Sequence, residues 1–209
     1  MGRVERVVDR YEADAEDYRE RHADRSVVAG LVERFLVALD GGSDPEDEHD
    51  GREPDRVLDA GCGPGWESAT FAEAGCDVVG IDLTAAFLDA ARQEVPEAAL
   101  ARMDMRQLGF GENAFDGVWA CASFLHVPCE DAGPTLGEFR RVLRPGGTLL
   151  LSVKREGDER YFTLYDRDEL AELVVESGFA VERACTTDDA NGAWVQLLAS
   201  ARGRRPHSN

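Results

Sequence analysis

The run Val57-Leu58-Asp59-Ala60-Gly61-Cys62-Gly63-Pro64-Gly65 constrains this chain more than any other stretch. A short β-rich segment closes on an acid, three glycines alternate, and helix-compatible residues begin at Trp66. Glycine takes positive φ without strain and lets another molecule reach the main chain without meeting a Cβ. The first amides of a helix have no intrahelical partner and attract negative charge. Strand, tight turn and helix in that order predict a loop shaped to hold a small polar molecule.

Asp82 supplies the second half of the signal. It lies 23 residues after Asp59 and ends the apolar run Val78-Val79-Gly80-Ile81, the next strand of a βαβ unit. A carboxylate there can accept hydrogen bonds from both hydroxyls of a ribose. The dinucleotide pattern G-x-G-x-x-G is broken, because its third glycine position is Trp66 and the extra glycine comes one residue early at Gly65. A pyrophosphate-binding loop is disfavoured.

Apolar residues Val4, Val7, Val8, Tyr11, Ala15 and Tyr18 recur at helical spacing, and so do Val27, Val28, Leu31, Val32, Phe35, Leu36 and Leu39. Residues 1–39 therefore form a helical cap of the same domain. Residues 40–55 are rich in Gly, Asp, Glu and Pro, and read as a mobile acidic loop. A calcium site is the weaker reading there, because no regular ligand spacing shows. From Arg56 a βα alternation begins, with strands expected near 56–60, 77–81, 98–103, 115–120, 148–153, 179–187 and 194–200. Thr84 is placed to cap one helix, Asp166 with Glu169 to form a capping box on another, and Gly178 to close that second helix. Pro145-Gly146 suits a type II turn. The core spans 56–201, and 202–209 is read as a disordered tail.

With these pieces in order, the chain resembles the class I S-adenosylmethionine-dependent methyltransferases from about Tyr11 to Ala201. The matching motifs are Leu58 to Gly65, Gly80-Ile81-Asp82-Leu83-Thr84, Met103-Asp104-Met105, Phe115-Asp116-Gly117-Val118-Trp119 and Leu143-Arg144-Pro145-Gly146-Gly147. The resemblance implies an α/β fold: a Rossmann-like, mostly parallel seven-stranded sheet with helices on both faces and one antiparallel strand near the C-terminal edge. It implies S-adenosyl-L-methionine as cofactor. By the same resemblance Gly61, Gly63 and Gly65 wall the methionine moiety, Asp59 holds its amino group indirectly, and Asp82 takes the ribose. Leu83 and Met105 flank the adenine, Asp104 meets its amino group, and Cys121 borders the site at the end of the fourth strand. The segment Ala120 to Pro128, with Tyr161-Phe162-Thr163, resembles a branch that acts on small molecules. Cys121-Ala122-Ser123-Phe124 stands where relatives that methylate amino groups of bases and glutamine carry Asn/Asp-Pro-Pro-aromatic, so that class is disfavoured.

Composition narrows the partners. The chain has 42 acidic residues against 23 basic ones, a net charge of −19, and a single lysine, Lys154, beside 22 arginines. Acids spread along the whole sequence suit a halophilic, cytoplasmic protein of haloarchaeal type. Phosphate backbones need a basic face, so nucleic acid is excluded as a partner. Only Arg202-Gly203-Arg204-Arg205 is locally basic. No membrane-spanning run or signal peptide is read. Cys62, Cys76, Cys121, Cys129 and Cys185 are odd in number and lack metal spacing, so they read as buried thiols with no metal site.

Methyl transfer from a sulfonium has an activated leaving group and needs alignment more than a base. Two candidates for a catalytic part remain. His126 follows the fourth strand and titrates near neutrality in an ordinary environment, or it lines the pocket. Tyr18, with Tyr11, resembles the N-terminal tyrosines that cover the cofactor in relatives, or it packs against the second helix. Tyr161, Phe162 and Tyr165 are read as the outer wall of an acceptor pocket or as packing. The competing functions are a nucleotide-dependent oxidoreductase on a related sheet and a non-catalytic S-adenosylmethionine-binding regulator.

Overall fold

The computed structural model describes residues 2–40, 53–189 and 192–203. Most of the expected acidic loop and of the tail falls outside the described residues. Helices α1 (Arg3–Arg21) and α2 (Ser26–Leu39) precede β1 (Arg56–Ala60). There follow α3 (Trp66–Glu73), β2 (Asp77–Asp82), α4 (Ala85–Glu94), β3 (Ala99–Arg102) and β4 (Phe115–Cys121). A 3-10 turn (Phe124–His126) leads to α5 (Cys129–Val142), β5 (Leu143–Lys154), α6 (Arg167–Glu176), β6 (Phe179–Asp189) and β7 (Gly192–Ala201).

The strands form one seven-stranded sheet in the order β3-β2-β1-β4-β5-β7-β6. Neighbours from β3 to β5 run parallel, and β7 runs antiparallel to both β5 and β6. Successive side chains of a strand point to opposite faces, and the apolar runs here are continuous, so both faces are buried. Leu58, Val79, Val118, Leu149 and Leu151 lie on the face covered by the 3-10 turn, α5 and α6. Val57, Val78, Trp119 and Leu150 lie on the other, under α2 and α3. There Phe35, Phe71 and Trp119 form a mutual aromatic cluster with centroids 5.2–5.3 Å apart.

Glycine is required where α2 presses on β4. A Cβ on Gly117 would stand 2.6 Å from Leu39 Cδ2 and 2.7 Å from Phe35 Cζ. At the far end of the fold Gly178, at φ +93°, closes α6 in the left-handed region, as expected of a residue just past a helix. The expected caps are corrected. Asp166 occupies the N-cap of α6 but makes no side-chain cap bond, and its carboxylate lies 3.9 Å from Arg155 instead. Thr84 occupies the N-cap of α4 with no cap bond either. The Ala85 and Ala86 amides donate to the Glu12 carboxylate, at 2.6 and 3.1 Å, so that helix is capped from α1.

Replacing Gly117 by valine overpacks this contact and is expected to cost about 1–3 kcal/mol. At about 2–4 °C per kcal/mol for a chain of this size, the thermal midpoint falls by several degrees. An unchanged midpoint would show that α2 does not bear on the sheet as described.

Candidate functional site

Strand order reverses between β1 and β4, and the loops after them part to leave a crevice. The carboxyl ends of β1, β2 and β4 open into it, and α1 lies across its mouth. A cavity there, with about 140 Å³ of room for water centres, is lined by Gly61, Gly63, Asp82, Leu83, Asp104, Met105 and Cys121 among others. Tyr18 and His126 also line it.

Each glycine of the loop has positive φ, but the three do different work. A Cβ on Gly61 would stand 2.3 Å from Ser123 Cβ, so the loop can touch the end of β4 only with glycine there. A Cβ on Gly63 would meet nothing within 4 Å, so its bare backbone borders open space. Gly65 packs on α4, where a Cβ would come 2.9 Å from Ala91 Cβ, and it is not among the cavity's lining residues.

Asp82 ties the loop to the next strand. Its Oδ2 accepts from the Gly63 amide at 3.0 Å and its Oδ1 from the Thr84 amide at 2.7 Å. Each carboxylate oxygen keeps another acceptor position, so two more donors can be taken from the cavity side. Burial raises its pKa, and the amide bonds oppose that rise. Asp59 sits behind the wall, 2% exposed, and accepts from Ser68 Oγ at 2.6 Å. Burial, with Glu67 adding repulsion, pushes its pKa up to about 8. Asp104 is engaged on both oxygens by Arg106, which also reaches Asp131 at 2.8 Å. An amino group meeting Asp104 has to share it with that fork.

His126 differs from its sequence expectation. Burial lowers its pKa to about 4, away from neutrality. Its Nδ1 lies 3.0 Å from the Tyr161 carbonyl, which can only accept, so Nδ1 carries the proton. In the neutral ring Nε2 is then an acceptor, and Tyr11 Oη donates to it at 3.2 Å. Burial also raises the Tyr11 and Tyr18 phenols and pushes the Cys121 thiol up to about 12. None of these groups is an anion at neutral pH.

Several residues escaped the sequence reading. Arg25, at the start of α2, donates through Nε to Glu67 at 2.7 Å, and its guanidinium stands 5.0 Å from the Trp66 ring centroid. Ala122 holds φ +54°, a conformation uncommon outside glycine and seen at functional sites. No motif announces either residue. Phe87 and Val8 line the same cavity from α4 and α1, and of the two only Val8 is singled out by sequence, as part of an apolar helical stripe.

A second cavity, with about 230 Å³ of room for water centres, adjoins the first. Val7, Tyr11, Tyr18, Arg25, Cys121, Ala122 and His126 line both. The second adds Tyr161, Phe162 and Trp194 as aromatic walls. Tyr165 is not part of either lining; it is 4% exposed and stacks on Phe124 in the core. Among the described residues no group of three or more His, Cys, Asp or Glu side chains is arranged to hold a metal ion, and no helix is long and apolar enough to cross a membrane.

Comparison with known proteins agrees with this geometry. Residues 58–151 match the methyltransferase domain family. Malonyl-[acyl-carrier protein] O-methyltransferase of Yersinia pestis is 40% identical over 102 residues, 48% of this chain and 37% of that protein. The chain thus spans well under half the length of the curated relatives it matches. Among solved structures, 1,6-didemethyltoxoflavin-N1-methyltransferase of Burkholderia thailandensis, solved with 1,6-didemethyltoxoflavin and S-adenosylhomocysteine, superposes with a TM-score of 0.76 at 20% identity, covering 94% of this chain and 88% of that one. Magnesium protoporphyrin IX methyltransferase of Synechocystis, with bound S-adenosylmethionine, gives 0.74 at 22% identity, covering 96% and 98%. These two likenesses carry the fold. The methyltransferase domain match thus covers residues 58–151, the segment from β1 into β5 that contains the strand-order reversal.

Proposed function

We propose that the chain binds S-adenosylmethionine in the first cavity and transfers its methyl group to a small-molecule nucleophile held in the second. The observation that carries this reading is the pair of cavities meeting at one wall, formed by the carboxyl end of β4 and by α1. The residues fit such a donor. Gly63 leaves backbone bare to the cavity, Asp82 has acceptor positions to spare for two hydroxyls, and Leu83 and Met105 offer apolar faces. Gly61 and Cys121 complete the wall, while Asp59 and Gly65 support it from behind. Asp104 joins once Arg106 shifts toward Asp131.

When bound, the sulfonium supplies a methyl group on an activated leaving group. The protein's own part is alignment, worth up to roughly 7–11 kcal/mol in well-oriented systems. Tyr11, Tyr18, Ala122 and His126 stand at the joint of the two cavities and fix where an acceptor atom can sit. His126 acts there as a neutral strut, since its Nε2 accepts from Tyr11. Residues 1–39 serve as a cap: α1 contributes walls to both cavities and is fastened to α4 through Glu12. The acidic, lysine-poor composition supports a halophilic protein of the cytoplasm. Titration with S-adenosylhomocysteine and with NADH separates this function from a nucleotide-dependent oxidoreductase. Binding of the former without methyl transfer across a metabolite extract would favour the regulatory reading.

Asp82→Ala removes the two further hydrogen bonds and the anchor of Gly63, at roughly 1.5–3 kcal/mol for each bond to a charged group, with water replacing part of it. S-adenosylhomocysteine affinity by calorimetry is expected to drop at least tenfold. Equal affinity in the variant would sink the site.

The pH–rate profile follows from His126. Its folded pKa lies near 4, below the ordinary 6.5, because burial disfavours the charged ring. Between these values the unfolded chain binds the extra proton and the folded chain does not, so this group's stabilising contribution is full above 6.5 and is lost as pH falls toward 4. Methyl transfer is expected to show no inflection near about 6.5, the unperturbed histidine value. An inflection there that disappears in His126→Ala would make the imidazole a general base and overturn the strut.

Charge repulsion among 42 acids and 23 bases makes stability depend on salt. The Debye length falls from about 30 Å at 0.01 M to about 3 Å at 1 M, so the melting midpoint is expected to climb steeply over that range in KCl. A flat midpoint would remove the halophilic reading.

A further inference from the structure

The second cavity departs from the rest of the molecule in charge. The chain as a whole carries −19, yet among the described residues this wall holds Arg10, Arg21, Arg25 and Lys154 beside one carboxylate, Asp14. The single lysine of the sequence is therefore a cavity residue. Arg21 pairs with Asp14, and Arg25 pairs with Glu67 of the first cavity. Arg10 forms no ion pair with a carboxylate of the described residues; its guanidinium lies 4.6 Å from the Tyr161 ring centroid. The Lys154 ammonium lies 5.3 Å from the Phe162 centroid and 5.0 Å from that of Trp194. Two consecutive rings thus carry two cations, and all five residues line the second cavity without lining the first. The local potential shows at His22 in the same wall, whose protonation is opposed by burial and then by Arg21, Arg25 and Lys154.

The remaining surface mixes apolar side chains with the polar groups of His22, Ser152 and Gln196. Val27, Val28, Leu31 and Leu125 line this cavity beside the aromatic rings. Aromatic and aliphatic walls with Arg10 and Lys154 set away from the shared joint select for a particular kind of molecule. Resting on the reading of the first cavity as the methyl-donor site, we infer that the acceptor is a flat, largely apolar molecule bearing a carboxylate or similar anionic group remote from the methylated atom. The anion lies at Arg10 and Lys154, and the nucleophile lies at the wall of Tyr11, Ala122 and His126. A charged group fixed at one end orients the other, since rotation of the acceptor would take the anion away from Arg10 and Lys154 and leave it desolvated without a partner.

The probes are 2-naphthoate and its neutral counterpart 2-naphthamide, titrated by calorimetry into protein saturated with S-adenosylhomocysteine in about 1 M KCl. At that salt the Debye length is about 3 Å, so long-range attraction is gone and only direct contact discriminates. Naphthoate is expected to bind at least tenfold more tightly than naphthamide. In the double variant Arg10→Gln/Lys154→Gln the preference is expected to vanish while S-adenosylhomocysteine affinity stays within about twofold, which also reports that the fold is intact. Equal binding of the two probes, no binding of naphthoate, or a preference that survives the double variant overturns the anionic acceptor. Failure of wild-type protein to bind S-adenosylhomocysteine in the first step overturns the donor site itself, so the two failures are told apart.

Discussion

The reversal of strand order between β1 and β4 is the constraint on which the rest of the molecule depends. Loops leaving a parallel sheet in opposite directions cannot cover the gap between them, so a crevice forms wherever the direction changes. Something other than packing has to shape its edge. Here Asp82 does so, by binding the Gly63 amide on one side and the Thr84 amide on the other. A buried carboxylate is costly to ionise, and donated amide bonds offset that cost. The acid thus has a place in the fold before any ligand arrives, and its spare acceptor positions face the opening.

The crevice is roofed by α1, which is attached by polar contacts as much as by packing. Glu12 receives two amides of α4, Tyr11 donates to His126, and Arg3 donates to Thr163 Oγ1 at 2.5 Å. Val7 is the buried apolar anchor of this helix, and the rest of its apolar stripe faces the cavities. A helix fastened in this way can release without tearing the core, because the aromatic cluster of Phe35, Phe71 and Trp119 belongs to α2, α3 and β4.

The sheet was legible because its first strands, β1 and β2, are apolar runs that end at a glycine or an acid, and later segments continue the alternation with helices. The expected segments match the observed ones within a few residues, except that β5 starts at Leu143, ahead of the Pro145-Gly146 turn. Caps were less legible, since a side chain in the right place is free to bind elsewhere: Asp166 faces Arg155, and α4 is capped from a helix 73 residues away in sequence. The same limit applies to the site. Gly61, Gly63 and Asp82 announce themselves by spacing, but Arg25 and Ala122 do not, for their roles come from neighbours distant in the chain. His126 was visible as a residue, with titration and pocket lining both left open by its place after the fourth strand. Its pKa is set by burial, then by the Tyr161 carbonyl and by Arg10 and Arg3, none of which sequence spacing connects to it.

The charge pattern joins these points. A protein of net charge −19 repels an anion at distances within the Debye length, so in dilute salt an anionic acceptor would be turned away before it reached Arg10 or Lys154. At high salt that repulsion is screened, whereas an ion pair made in contact inside a partly buried cavity is screened much less. Local cations inside a globally acidic surface therefore work only in the medium the composition suits. The aromatic faces beneath Arg10 and Lys154 serve the same end, because a cation held against a ring is partly desolvated beforehand and gives up less water when an anion arrives. Arginine predominates in the ion pairs on the surface, where its fork matches carboxylates, and the one lysine stands in the wall of the second cavity.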